Sequence, residues 1–171
     1  MSIDTGVRRQ VFSTAILQKQ IIECCCQPKP EVHKPATVIR ISPPNGAQFR
    51  IVEKQGGDSP SEIVIVFDKE LDPATVTNDS IRVTFVEGNG APGTQPGQVD
   101  YRAGTATAVF RTQNGGPFSA GPFNSRTYTV TVRGEAPNAI EDVDHLALDG
   151  DKDGNAGGNF TSQFTVVFIV G

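Results

Sequence analysis

Val and Ile supply 30 of the 171 residues and Leu only four, and fifteen threonines add to the β-branched total. Branching at Cβ stiffens χ1 and suits a pleated, half-buried surface better than a helix, so the chain is expected to be almost all strand. Eighteen glycines and twelve prolines provide the turns that many short strands require. A helical bundle, a coiled coil and a collagen are excluded on the same grounds. Hydrophobic residues, at 37%, suffice for a packed core, and a formal charge of −4 argues against a basic nucleic-acid binder.

The chain divides at its prolines. Residues 1–34 carry five basic and three acidic side chains, against ten and sixteen in residues 35–171. Val7, Val11, Ala15 and Gln18 share one helical face and Phe12, Ile16 and Ile22 a neighbouring one, so a short amphipathic helix over about 7–23 competes with an extended strand. Pro28, Pro30 and Pro35 then form a stiff linker. An apolar arm ahead of such a linker must be covered, and insertion into another protein subunit is the expected use. Cys24, Cys25 and Cys26 are adjacent and have no distant partner cysteine. Three roles stay open for them: reduced thiols against a partner, lipidation or bridging between subunits, and a zinc site completed by His33.

Arg8 and Arg9 before an apolar run imitate a signal peptide. Gln18, Lys19 and Gln20 cut that run short, however, and no small-residue cleavage site follows. Synthesis without a classical export signal, in the cytoplasm, is the expectation. No run approaches the ~18 apolar residues of a membrane-spanning helix.

From Thr37 onward, apolar runs alternate with turn signals. Strands are expected at Thr37–Ile41, Phe49–Glu53, Glu62–Phe67, Ser80–Val86, Gln98–Arg102, Thr105–Arg111, Arg126–Arg133 and Gln163–Val170. Glu62–Phe67 is apolar on both faces and reads as a central strand; Gln163–Val170, also apolar on both faces, closes the chain and could be shared with a neighbouring subunit. In Arg126–Arg133, Tyr128, Val130 and Val132 point inward and Thr127, Thr129 and Thr131 outward. Seven or eight such strands in residues 35–171 predict an all-β sandwich.

Four segments, in order, carry a family resemblance. They are Val38-Ile39-Arg40-Ile41-Ser42-Pro43-Pro44-Asn45-Gly46-Ala47, Ile63–Val76 with its Phe67-Asp68-Lys69-Glu70-Leu71-Asp72-Pro73 ending, Tyr128–Val132, and Ala139–Asp142 with the closing Phe164-Thr165-Val166. Together they resemble a bacterial Ig-like domain of the S-layer-protein type, over about residues 37–170. The chain departs from that pattern in the long polar Ile51–Pro60 segment, in Glu87–Gly97 and in the N-terminal arm. The resemblance implies an Ig-like sandwich used as spacer, scaffold or adhesive module, without catalysis.

The most pointed chemistry lies in Leu148-Asp149-Gly150-Asp151-Lys152-Asp153-Gly154-Asn155. Between 141 and 155 there are six carboxylates and a single basic residue, Lys152. The alternation of Asp149, Asp151 and Asp153 in a tight loop aims three carboxylates at a hard cation, with Gly150 and Gly154 permitting the turns and the Asn155 carbonyl as a further ligand. This is the first half of a calcium loop. Phe160 stands where an EF-hand would carry its glutamate. Asp142 and Asp144 are the expected additional ligands, and the expected role of calcium is structural. The plain alternative is a solvated Asp-Gly turn. The resemblance supports the calcium loop by analogy, since related Ig-like domains carry Asp-Gly-Asp loops before their last strand.

Enzyme signatures fail on inspection. Gly88-Asn89-Gly90-Ala91-Pro92-Gly93 fits a dinucleotide pattern, but Pro92 forbids the required helix, so a hairpin is expected. Asp68, Glu70 and Asp72 resemble paired acids but suit turn chemistry better, with Asp72 capping a short helix at Pro73–Val76. His33 and His145 are the only histidines, and no nucleophile has a credible base. Asn78-Asp79-Ser80 and Asn159-Phe160-Thr161 fit the glycosylation sequon.

The sequence thus points to a non-enzymatic, calcium-stabilised Ig-like subunit that joins a larger assembly through residues 1–34. A phage particle or phage-tail-like contractile particle is the leading setting. The alternative is a cell-surface or S-layer module with an adhesive role that includes carbohydrate binding.

Overall fold

The computed structural model describes residues 33–53, 55 and 57–170. The expectations for the arm, for a helix over 7–23 and for Cys24–Cys26 lie outside these residues.

Residues 34–171 form one compact unit. Its strands are β1 (Val38–Ser42), β2 (Ala47–Val52), β3 (Glu62–Phe67), β4 (Ile81–Glu87), β5 (Pro92–Thr94), β6 (Gly97–Arg102), β7 (Thr107–Thr112), β8 (Ser125–Val132) and β9 (Phe160–Ile169). They form a four-stranded sheet, β1-β3-β7-β6, and a five-stranded sheet, β2-β9-β8-β4-β5. The expected β-sandwich is therefore present. β3 and β9, the two runs apolar on both faces, each lie between neighbours on both sides.

The first two strands belong to different sheets. β1 runs antiparallel to β3 at one edge, and β2 runs parallel to β9 at the edge of the other sheet. Pro43–Gly46 carry the chain across. Gly46, at φ +80°, adopts the left-handed conformation that glycine tolerates best. Its N–H donates to the Gln163 carbonyl at 2.7 Å, and Asn45 Oδ1 accepts the Gln163 N–H at 2.9 Å. Both bonds tie the crossing to the start of β9.

Alternation builds the core. Ile63, Ile65 and Phe67 of β3, Ala108 and Phe110 of β7, Ile81 and Val83 of β4, and Tyr128, Val130 and Val132 of β8 are all buried. Phe118, Tyr128 and Phe164 meet at its centre with ring centroids 4.9, 5.0 and 5.2 Å apart. The buried Tyr128 hydroxyl donates to the Ser119 carbonyl at 2.8 Å and accepts the Ser119 N–H at 3.2 Å, so the polar end of the ring is satisfied. The Arg126 guanidinium lies 4.0 Å above the Phe85 ring and pairs with Glu87.

The differences from the sequence reading have local causes. β5 lies inside the Gly/Pro-rich segment read as a loop, and its three residues are too few to show alternation. β9 begins at Phe160, three residues before the expected Gln163, because Phe160 pairs with Val132. Residues 73–76 form a turn and not a short helix. Asp72 does cap it: its Oδ1 accepts the Ala74 N–H at 2.9 Å, and its carbonyl accepts the Thr75 N–H at 3.0 Å.

Candidate metal centre

The acidic loop occupies the connection between β8 and β9. Leu148, fully buried, anchors its start in the core, and its N–H donates to the Ile140 carbonyl at 2.8 Å. The next amide, Asp149 N–H, reaches the Ala36 carbonyl just ahead of β1 at 2.9 Å. Gly150 N–H to Gly157 O and Gly157 N–H to Leu148 O, both 3.0 Å, close the base of the loop. Sequence locality thus becomes a fixed pedestal: the amides of Leu148, Asp149, Gly150 and Gly157 each have a backbone partner.

Glycines make this pedestal possible. A Cβ on Gly134 would stand 2.1 Å from the Gly158 carbonyl oxygen and 2.2 Å from that of Leu148. One on Gly158, at φ +70°, would stand 2.7 Å from Asp151 Cγ. Gly154, at φ +92°, takes the sharp turn expected of the sixth loop position.

On this pedestal the three predicted carboxylates converge. Asp149, Asp151 and Asp153 each offer an oxygen within 4.8 Å of the others'. Asp149 is buried, while Asp151 and Asp153 are exposed. Asp149 Oδ1 accepts the Asp153 N–H at 3.1 Å and Oδ2 the Gly154 N–H at 3.0 Å, which curls the loop around its first carboxylate. The Asn155 N–H donates to Asp153 Oδ1 at 2.8 Å and its side-chain amide to Oδ2 at 3.1 Å. These two bonds hold the Asp153 carboxyl below its ordinary range, and so in its charged form. Three oxygens of this kind can hold a metal ion, and oxygen donors favour a hard cation.

Asp142 and Asp144 are not brought to this cluster. Asp142 is fully buried, and its Oδ2 lies 2.6 Å from Lys69 Nζ. Its Oδ1 accepts the N–H groups of Asp144 at 2.9 Å and Leu146 at 3.1 Å. Asp144 Oδ2 is 3.4 Å from the same ammonium. Burial works to lower the Lys69 pKa, but the hydrogen bonds and charges of Asp142 and Asp144 outweigh it and hold the group above its ordinary value. The pair is a strut between the end of β3 and the segment leading to the loop. It was hidden because its partners lie 73 residues apart, and Asp142 read as one more acid near the loop.

The other residues singled out from sequence have structural duties. Asp68 accepts the Thr37 N–H at 2.7 Å and its hydroxyl at 3.0 Å. His145 is exposed, 3.8 Å from Glu141. Both sequon asparagines are engaged: Asn78 Oδ1 accepts the Val99 N–H at 2.8 Å, and Asn159 bonds Gly134 N–H at 3.1 Å and Glu135 at 3.1 Å. Gly88–Gly93 forms the β4–β5 hairpin, as expected, with Glu87 N–H bonded to the Ala91 carbonyl at 2.8 Å. Among the described residues no helix is long and apolar enough to cross a membrane.

No protein-family model and no curated protein matches the chain. Solved structures do. PcoC, a methionine-rich copper resistance protein from Escherichia coli, is 14% identical, with 80% of this chain and 100% of that one covered, at a TM-score of 0.48. CopC from Methylosinus trichosporium OB3b is 13% identical over 78% of this chain and 94% of that one, at 0.40. The N-terminal part of the bacterial S-layer protein SbsC is 15% identical over 90% of this chain and 26% of that one, at 0.42. These likenesses are too distant to carry a function across.

Proposed function

We propose that the chain is a non-catalytic structural module of the cell-surface, S-layer or adhesive kind, its sandwich braced by calcium between Asp149, Asp151 and Asp153. The convergence of three carboxylates on a loop stitched to the backbone at Ala36, Ile140 and Leu148 carries this reading. The Asn155 carbonyl adds a fourth oxygen, and water completes the six to eight that calcium takes. Asp142 and Asp144 remain with Lys69. The surface reading is supported by the four resembling segments, which fall on β1 with its crossing, on β3, on β8 and on β9 with the segment before it. The reading as a subunit of a phage or phage-tail-like particle gains no support from the fold or the comparisons, and we do not adopt it. Residues 1–34 serve in this proposal as the contact to other subunits.

The test is a melting curve on chelator-treated protein with and without added calcium. Calcium raises the melting temperature of the native chain and leaves that of Asp151→Ala unchanged. An unchanged native melting temperature refutes the calcium brace. For the surface role, labelling of the protein on intact cells is expected, and failure to label it counts against that role alone.

A further inference from the structure

Three Asn-Gly bonds lie in turns of the sandwich: Asn45-Gly46, Asn89-Gly90 and Asn114-Gly115. An asparagine before glycine is the arrangement most open to spontaneous loss of its amide, because glycine places no side chain beside the attacking nitrogen. From sequence the three are equivalent. The structure separates them.

At Asn45 both reacting groups are tied to β9. Its Oδ1 accepts the Gln163 N–H at 2.9 Å, and the Gly46 N–H donates to the Gln163 carbonyl at 2.7 Å. Freeing either group means opening the join between the two sheets. At Asn89, Oδ1 accepts the Ala91 N–H at 3.1 Å and the Gly90 N–H donates to Glu87 O at 2.8 Å, within a hairpin closed by Glu87 N–H to Ala91 O. At Asn114 the side chain makes no hydrogen bond among the described residues, and it is exposed. Only one turn bond, Gly115 N–H to Thr112 O at 2.8 Å, restrains the nitrogen. A surface turn of this kind opens locally at little cost, whereas the strand-tied bonds open only with larger parts of the fold.

We propose that Asn114 is a site of spontaneous deamidation, reacting ahead of Asn89, with Asn45 protected in the folded chain. Hydroxide removes the Gly115 amide proton, and the nitrogen attacks Asn114 Cγ. The C–N bond to the side-chain amide breaks, and ammonia leaves with a proton from water. The cyclic imide is then opened by water at either carbonyl, giving aspartate or isoaspartate. No oxidant or further reactant is needed. The product carries one more negative charge than the native −4. That charge falls in a recess lined also by Phe85, Thr112, Ser119 and Arg126, with no acidic lining residue among the described residues. The isoaspartate form also lengthens the backbone between β7 and β8.

The experiment incubates the full chain, folded and in denaturant, in warm, mildly alkaline buffer and follows each site by peptide mass mapping, with enzymatic detection of isoaspartate. In the folded chain, Asn114 converts several-fold faster than Asn89, Asn45 stays intact, and Asn114→Gln removes the main acidic charge variant. In denaturant the three rates converge. Conversion of Asn45 or Asn89 as fast as Asn114 in the folded chain overturns the proposal. So does an intact Asn114 in folded protein under conditions that convert it in denaturant.

Discussion

At the scale of single residues, the account turns on side chains whose partners are remote in sequence. Lys69 offsets the fully buried charge of Asp142, and removing one member of a buried pair leaves the other uncompensated. Lys69→Met is expected to cost about 3 kcal/mol, the low end for such pairs because Lys69 keeps 28% of its side-chain exposure, as read by urea denaturation. The folded-state pKa of Lys69 is raised, so its contribution is fully present below the unfolded lysine pKa and is lost as pH rises through the folded value. The stability gap between the native chain and Lys69→Met should therefore narrow only in strongly alkaline solution. Tyr128→Phe strands the N–H and carbonyl of Ser119 and is expected to cost about 1–2 kcal/mol. The carboxylate triplet was legible in the sequence because an alternating Asp in a Gly-flanked loop is a purely local code. The Asp142 strut was not, since nothing near position 142 names Lys69.

At the scale of elements, strands with clean alternation, such as β8, were readable because one buried face fixes which residues point inward. β5 was not, since its residues Pro92–Thr94 hold a proline and a glycine and pair only with the end of β4. The loop between β8 and β9 is the element that the ion is meant to govern. Calcium is expected to slow hydrogen exchange at the amides of Asp153 and Gly154, which bond Asp149, and at Gly150 and Gly157, which close the loop base. Amides in the middle of β3 and β7 should change less. Uniform protection, or none in the loop, would argue against a local brace. Gly158→Ala forces a left-handed alanine, at a cost of about 1–2 kcal/mol, and drives Asp151 from the cluster. It should lower calcium affinity as well as stability, whereas Gly104→Ala, at a glycine with open space around it, should leave affinity unchanged. Because the Asp153 pKa is depressed in the folded state, its contribution is present above the unfolded carboxylate pKa and fades as pH falls through the folded value. Calcium stabilisation should vanish over that acid range.

Within residues 34–171, the two sheets, the β1–β2 crossing between them and the cluster of Phe118, Tyr128 and Phe164 form a sandwich whose acidic loop, between the last two strands, bonds to the entry of β1. The fold class was accessible from composition and pattern together, because β-branched abundance points to strands and short turn-bounded runs leave few other architectures for them. That Asp142 and Asp144 pair with Lys69, apart from the carboxylate triplet, was not, since that depends on contacts between segments distant in sequence. Removal of residues 1–34 should leave a folded β protein with the same calcium-dependent melting behaviour, because the core and the loop both lie within residues 34–171. The most direct measurement of the central claim is calcium binding by calorimetry on the chelator-treated full chain. A single calcium ion per chain, lost in Asp151→Ala and kept in Asp144→Asn, is the predicted result; absence of calcium binding by the native chain, or binding undiminished in Asp151→Ala, would contradict it.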